Sequence, residues 1–234
     1  MQNLFTNGCS YNQWRTVAPH NVQTCVGQEI AKHYNLDLTN MSAGGKGNDR
    51  IVTTTMNWFL QNSSRMKNSF ALIQWSSAAR FDYPRTNIKK EDIFEGFDLQ
   101  WRSINVLKDG KHGKETFEHF AKMDLPAWLQ QKYFSCVINL QNFFKIHNIP
   151  YLMYNGLEND LDTDAIEFVA FKEYVLKKRF FKFDDPRWVH RNFCVSRNME
   201  LHNDGHASEI GVKKYAKLLQ RYIDSEQLMK KHPL

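Results

Sequence analysis

The strongest constraint on the fold is a regular alternation of short apolar strands with amphipathic helices. Residues 70–75 (FALIQW) form a continuous apolar run of the kind that a parallel sheet buries on both faces. Ahead of that run, Ile51, Thr55 and Trp58 recur at the spacing of one helix face. Because strand and helix alternate four times along the chain, the sequence predicts a parallel sheet covered by helices on both sides.

The predicted elements occupy most of the chain. The predicted strands are residues 3–6, 35–41, 70–75 and 149–155, and the predicted helices are residues 24–34, 49–61, 128–148 and 207–222. In the last helix we expect Ile210, Tyr215, Leu218 and Leu219 to point inward. The length of 234 residues favours a single domain over residues 1–234. Residues 80–122 are charged and weakly periodic, which indicates an insertion of loops and short elements over the top of the sheet.

The composition excludes several classes of protein. The first ten residues have neither a basic start nor a long apolar stretch, and no window approaches the roughly 18 apolar residues of a membrane span. We therefore expect a cytoplasmic protein without a membrane span, and release as part of a particle stays open. Cys9, Cys25, Cys136 and Cys194 are far apart, so we expect reduced thiols and neither a disulfide framework nor a structural zinc site.

The net charge of +6 is concentrated in residues 171–183 (FKEYVLKKRFFKF). If this segment is a helix, its basic residues lie along one side; they are Lys172, Lys178, Arg179 and Lys182. A solvated face is the preferred interpretation, and nucleic acid is not an expected partner. Nucleic-acid binding through this segment would show a steep loss of affinity with salt.

Three polar loops directly follow predicted strands. They are residues 7–10 (NGCS), 42–48 (SAGGKGN) and 75–80 (WSSAAR). Parallel strands bring their carboxyl ends to one edge of the sheet, where ligands bind. We therefore expect these three loops to meet and form the functional site.

Three sequence blocks together resemble those of the SGNH, or GDSL-type, hydrolases. The first is TNGCS (6–10), with Cys9 where the family usually has Asp; the second is NMSAGGKGNDRI (40–51); the last is NDGHASEIGVKKYAKLL (203–219). They occur in the family's order. The resemblance implies an α/β fold: a three-layer α/β/α sandwich around a five-stranded, mostly parallel sheet, flavodoxin-like, with insertions. It also implies an esterase activity that needs no cofactor and no metal.

The resemblance assigns the catalytic groups by position. Ser10 is the nucleophile and His206 the base that takes its proton. Asp204 is the residue that orients the imidazole and stabilises its cation. The family usually has its Asp three residues before the His, where this chain has Asn203, so Asn203 is the alternative to Asp204.

An acyl-transfer site also needs donors for the oxyanion. The backbone N–H of Ser10 is one expected donor, and the N–H of Gly45 is the second, with Gly44 as the alternative. Glycine allows close approach of the backbone to a substrate and a positive φ. The family has a further block between its second and its last, called its third block, which usually supplies an Asn. The segment QWSSAAR (74–80) has no Asn. Candidates to replace it are Ser76, Ser77, Asn48 and Asn155.

Other interpretations of the same residues remain. Cys9 is a rival nucleophile, because a thiolate attacks well, although strand alternation directs it away from Ser10. His202, Asp204 and His206 form an H-x-D-x-H cluster, but no further ligand elsewhere in the sequence supports it, so no metal is expected.

The expected function is a serine esterase acting on a small-molecule or glycan ester, with a carbohydrate O-acetyl group or a short acyl chain as substrate. The alternative is a binding or structural module with weak or no catalysis. The sequence names neither the natural acyl group nor the oligomeric state.

Overall fold

A computed structural model describes residues 1–13, 24–84, 101–105, 125–157, 169–202 and 205–230. The strands are β1 (Asn3–Asn7), β2 (Asp37–Asn40), β3 (Ser69–Trp75), β4 (Arg80–Pro84), β5 (Trp101–Asn105) and β6 (Tyr151–Asn155). The helices are α1 (Val26–Tyr34), α2 (Asn48–Gln61), α3 (Ser63–Met66), α4 (Leu125–Ile146), α5 (Val169–Tyr174), α6 (His190–Ser196) and α7 (Glu209–Ser225). No described helix is both long enough and apolar enough to cross a lipid bilayer.

The main sheet is parallel, with the strand order β2-β1-β3-β6. The family resemblance implied five strands, whereas the described residues form four strands and one isolated bridge. That bridge is parallel and joins Phe180 to Met153 of β6, at the fifth position of the sheet. It does not extend into a strand, because a 3₁₀ turn (Lys177–Arg179) precedes it and Lys182, with φ 48°, turns the chain just after it.

Strand alternation divides the apolar side chains between the two faces of the sheet. Phe5 and Ile73 lie in one buried cluster with residues of α2 and α4. Their strand neighbours Leu4 and Leu72 lie in a second buried cluster with residues of α1 and α7. Both faces are therefore covered by helices, which confirms the predicted three-layer α/β arrangement.

Residues 171–183 do not form one helix, so the condition for a continuous basic side along this segment is not met. Helix α5 ends at Tyr174, and the following 3₁₀ turn buries Arg179. The Arg179 guanidinium donates to the carbonyl oxygens of Tyr151 (3.3 Å) and Leu228 (2.5 Å). A buried cation needs acceptors, and these carbonyls provide them. Arg179 is therefore part of the packing and is absent from any basic surface.

The lysines of the same segment have acidic neighbours. Asp184 pairs with Lys177 at 2.6 Å and with Lys172 at 3.5 Å. Lys178 lies 3.5 Å from Glu226. These pairs offset much of the local positive charge, which agrees with a solvated face.

The last helix begins two residues later than predicted; Tyr215 and Leu219 are buried as expected, and Ile210 is not. The Ser208 hydroxyl accepts a hydrogen bond from the Gly211 N–H (3.3 Å) and caps the helix. This start places Val212 and Tyr215 inward, whereas Ile210 is 63% exposed. The expectation that Ile210 points inward is therefore wrong.

A hairpin lies within the predicted insertion at 80–122. β4 and β5 pair in antiparallel fashion, with Asp82 opposite Ser103. β4 packs against α2. The remaining parts of this segment, residues 85–100 and 106–122, lie outside the described residues.

Candidate active site

The site begins at the carboxyl end of β1, where the buried Asn7 side chain organises the turn that follows. Its Oδ1 accepts the N–H of Gly8 (2.9 Å), and its Nδ2 donates to the hydroxyls of Thr54 (2.8 Å) and Thr55 (2.9 Å). Because both threonines belong to α2, the end of the first strand is fixed against that helix. Asn7 thereby fixes the backbone that leads into Ser10.

The chain then forms a 3₁₀ turn, Ser10–Asn12, held by a second buried asparagine. Asn12 Nδ2 donates to the hydroxyls of Thr6 and Ser42, the latter at 3.2 Å. Its Oδ1 accepts the N–H of Gly27 (3.0 Å) in the first turn of α1. One amide thus ties together the Ser10 turn, the glycine loop and α1.

Ser10 and His206 lie within hydrogen-bonding distance. His206 Nε2 is 2.6 Å from the Ser10 hydroxyl oxygen. His206 belongs to the loop just ahead of α7, and the Ser10 turn follows β1, so two distant parts of the chain meet here. A neutral imidazole with Nε2 as acceptor can take the hydroxyl proton.

Tyr11 joins the two halves of this pair. Its hydroxyl donates to the carbonyl oxygen of Gly205, and its ring centroid lies 4.6 Å from that of His206. Gly205 has φ +79°, a backbone conformation that favours glycine. Tyr11 therefore holds the histidine loop against the Ser10 turn. Asp204 and its alternative Asn203 lie outside the described residues, so the orienting group of His206 stays a prediction.

A second histidine lies behind the pair. His190 is completely buried, with its ring stacked on Tyr215 (4.3 Å between centroids) and edge-on to Tyr11 (5.5 Å). Burial, together with the smaller effect of the nearby His206, lowers the pKa of His190 to about 3. His190 is therefore neutral at physiological pH.

The glycine loop follows β2 and lies next to the Ser10 turn. The Ala43 N–H donates to the carbonyl oxygen of Gly8 (3.0 Å), and Gly45 has φ +72°. Among the residues that the structure describes, the N–H groups of Ser10, Gly44 and Gly45 donate to no protein acceptor. The role of these three N–H groups as oxyanion donors stays a prediction.

The proposed replacements for the third-block Asn have other partners. Asn48 Nδ2 donates to the Ser76 carbonyl oxygen (3.2 Å), and its Oδ1 accepts the Ser76 N–H (2.9 Å). The Ser77 hydroxyl accepts the N–H of Ala79 (3.3 Å) within its own turn. The Asn155 amide oxygen accepts from the Tyr133 hydroxyl (2.7 Å). These contacts give the four residues structural roles at the edge of the sheet.

The rival nucleophile Cys9 is buried and directed away from the site. It is fully inaccessible to solvent, and its Sγ lies 3.3 Å from Oε1 of the buried Gln74. The other thiols are also buried. Burial raises the pKa of Cys194 to about 11 and that of Cys136 to about 12. Within the described ranges, no three His, Cys, Asp or Glu side chains are grouped as metal ligands.

A small cavity opens beside the Ser10–His206 pair. Its volume is about 20 Å³, and Thr24, Ala207 and Val212 form the wall opposite the pair. This volume is close to that of a single bound water, for which about 10–15 Å³ suffices. The cavity therefore has room for a group of methyl size.

Sequence reasoning found Ser10, His206 and the glycine loop but missed the residues that hold them. Asn7, Asn12 and Tyr11 all occur in the same short stretch, TNGCSYN. Two asparagines that flank a strand-end turn are a usable signal, because buried amides commonly bind the backbone of such turns. His190 has no comparable signal in the sequence.

The fold and the site together define an α/β protein with a Ser–His pair at the carboxyl edge of a parallel sheet. The sequence matches no protein-family model and no curated protein. Among solved structures, the chain is similar to a member of the lipolytic G-D-S-L family from Veillonella parvula DSM 2008, with 11% identity, a TM-score of 0.48 and coverage of 96% of this chain and 97% of that one. It is also similar to a candidate SGNH hydrolase from Slackia heliotrinireducens, with 11% identity, a TM-score of 0.42 and coverage of 98% and 99%.

Proposed function

We propose that this protein is a serine ester hydrolase that works through an acyl-enzyme intermediate. The observation that carries the proposal is the 2.6 Å separation between His206 Nε2 and the Ser10 hydroxyl oxygen. A serine hydroxyl is a weak nucleophile until a base removes its proton, and His206 is placed to do so. The order of the three sequence blocks that resemble SGNH hydrolases supports the same function.

In the first half-reaction, the Ser10 oxygen attacks the ester carbonyl carbon while its proton moves to His206 Nε2. The carbonyl π electrons move to the oxygen and form a tetrahedral oxyanion. Collapse of this intermediate breaks the bond to the alcohol oxygen, which takes the proton from His206. The acyl group remains on Ser10.

The developing oxyanion accepts hydrogen bonds from backbone N–H groups. We assign this role to Ser10 and Gly45, with Gly44 as the alternative. The support is that these N–H groups have no protein acceptor within the described residues and that the Ala43–Gly8 bond joins their two loops. Losing one such donor commonly lowers turnover by about 10²–10³.

In the second half-reaction, water replaces the alcohol. His206 takes a proton from the water as its oxygen attacks the acyl carbon. The second tetrahedral intermediate releases the carboxylic acid, and the proton returns to the Ser10 oxygen.

We assign the substrate to the short acyl esters, and within them to an O-acetyl group on a carbohydrate. The cavity beside the pair has room for a methyl-sized group, which suits the acetyl methyl. The carbohydrate part rests on the family resemblance. Under this proposal the partner is a small-molecule or glycan ester.

The test is labelling with a fluorophosphonate probe together with turnover of p-nitrophenyl acetate. We expect the wild type to be labelled and active, and Ser10→Ala to lose labelling and at least about 10³-fold in kcat. Ser225→Ala is the control, because it removes an exposed hydroxyl at the end of α7, away from the Ser10–His206 pair, and should keep activity.

Two outcomes would contradict the proposal. Turnover that survives Ser10→Ala would reject Ser10 as the nucleophile. A wild type that is neither labelled nor active on acetyl esters would favour the binding module on the same fold.

A further inference from the structure

The β4–β5 hairpin directs a buried carboxylate at the start of α2. Asp82 is 4% exposed. Its Oδ1 and Oδ2 accept the N–H of Gly47 at 2.9 and 2.7 Å, and Oδ2 also accepts the N–H of Arg50 at 3.2 Å. The Ser103 hydroxyl on β5 donates to Oδ1. The carboxylate thus has its main partners in the backbone of the glycine loop and the first turn of α2.

These contacts replace a cap that the helix lacks. The N-cap position of α2 is Gly47, which has no side chain to accept the first N–H groups. Such N–H groups need an acceptor, and a negative charge at a helix N-terminus is stabilising. Asp82, which lies on β4, provides both the acceptor and the negative charge.

The hairpin holds the glycine loop at further points. Arg80 donates to the Lys46 carbonyl oxygen at 3.1 Å, and the Lys46 ammonium donates to the Trp101 carbonyl oxygen. A Cβ added to Gly47 would lie 2.8 Å from Asp82 Oδ2 and 3.0 Å from the Arg80 carbonyl oxygen. Gly47 therefore lies directly against the hairpin, with no space for a side chain at that position.

We propose that Asp82 is a positioning residue for the oxyanion donors of the glycine loop, an inference that rests on the proposed function. Gly44 and Gly45 precede Gly47 by three and two residues, so the position of Gly47 sets where their N–H groups point. A displacement of about 1 Å in a catalytic group can cost about 10²-fold in rate. The hairpin completes the site without contacting the substrate.

The test compares Asp82→Asn with the matched control Asp49→Asn. Asparagine keeps the size of Asp82 but removes the negative charge that its oxygens present to the N–H groups of Gly47 and Arg50. Asp49 is a neighbouring carboxylate that accepts the Asp82 N–H (3.2 Å) and pairs with Lys132 (2.6 Å). Within the described residues it accepts no hydrogen bond from the glycine loop, so it reports the effect of removing a nearby charge.

With p-nitrophenyl acetate, we expect Asp82→Asn to lower kcat by about 10- to 100-fold while KM changes by less than about 3-fold. The pH at half-maximal kcat/KM on the acidic side should stay unchanged, because Asp82 does not contact His206. Asp49→Asn should stay within about 3-fold of wild type in kcat. Hydrogen exchange of the Gly47 and Arg50 amides should become faster in Asp82→Asn and not in Asp49→Asn.

The outcomes separate this inference from the proposed function. Wild-type turnover together with an unchanged kcat in Asp82→Asn would overturn the role of Asp82 and leave the esterase standing. Absence of wild-type turnover would overturn both. If Asp82→Asn does not fold, Lys46→Met removes the ammonium that donates to the Trp101 carbonyl oxygen; a kcat lowered at constant KM supports the inference, and an unchanged kcat overturns it.

Discussion

His206 lies at one end of a row of contacting rings. Tyr11 lies against it, and His190 lies behind Tyr11, stacked in turn on Tyr215. Neither ring nitrogen of His190 has a hydrogen-bond partner within the described residues. A buried imidazole without partners is stable only while it is neutral. This residue therefore makes the stability of the fold depend on pH.

We expect His190 to destabilise the folded protein as the pH falls. Its pKa is lowered from 6.5 to about 3 on folding, so the unfolded chain binds a proton in this window that the folded chain does not. Stability is therefore complete above pH 6.5 and decreases below it, by about 1.4 kcal/mol per pH unit for this group. Urea unfolding at pH 7.5 and pH 5 should show a loss of about 2 kcal/mol that is absent from His190→Phe.

The control for this prediction is His33→Gln, which changes an exposed histidine on α1. It should keep the pH dependence of the wild type. Equal losses of stability in the wild type and in His190→Phe would show that His190 is not the group responsible.

At the level of residues, sequence reasoning could predict that Ser10 and His206 meet, but not which side chains hold their loops in place. Ser10 and His206 belong to recognisable blocks, and the structure places them 2.6 Å apart. Asn7 and Asn12 act through contacts with Thr54, Thr55 and Gly27, which are distant in sequence. Such contacts depend on which helix packs beside which strand, and local patterns do not contain that information.

At the level of elements, Arg179 joins the chain after α7 to the start of β6. Its guanidinium donates to the carbonyl oxygens of Leu228, Tyr151 and Lys230. Removing a charged donor from buried acceptors loses its hydrogen bonds and leaves the carbonyls unsatisfied. This one side chain therefore stabilises the junction of two elements.

We expect Arg179→Leu to lower the free energy of unfolding by about 2–4 kcal/mol. Lys178→Leu, which changes an exposed neighbour, should lower it by less than about 0.5 kcal/mol. Urea denaturation followed by circular dichroism measures both. Similar small effects for the two variants would contradict the structural role assigned to Arg179.

The elements that sequence patterns predicted well have strong periodicity or continuous apolar character, as β3 and α2 do. The charges around Arg179 could line one side of a helix, but the chain there forms a 3₁₀ turn instead. Burial of Arg179 against backbone carbonyls outweighs that local preference. The single bridge at Phe180 escaped prediction for a related reason, since one residue carries no periodic signal.

At the level of the whole molecule, all four cysteines are free and buried. A thiol reacts as its thiolate and only when a reagent can reach it. Burial raises the pKa of Cys25, Cys136 and Cys194, so their thiolate forms are scarce at neutral pH. The folded protein should therefore resist thiol reagents.

We expect Ellman's reagent to find no rapidly reacting thiol in the folded protein and four in strong guanidinium chloride. Esterase activity should survive treatment with iodoacetamide. One fast thiol in the folded state, abolished by Cys9→Ala and accompanied by loss of activity, would reinstate Cys9 as the nucleophile.

Ser10 and His206 are separated by 196 positions in the chain. A ribosome therefore makes the hydroxyl 196 residues before it makes the imidazole. A nascent chain that ends between these positions has a nucleophile without its base. If the proposed chemistry is correct, the growing polypeptide stays harmless to esters until the loop ahead of α7 has been synthesised.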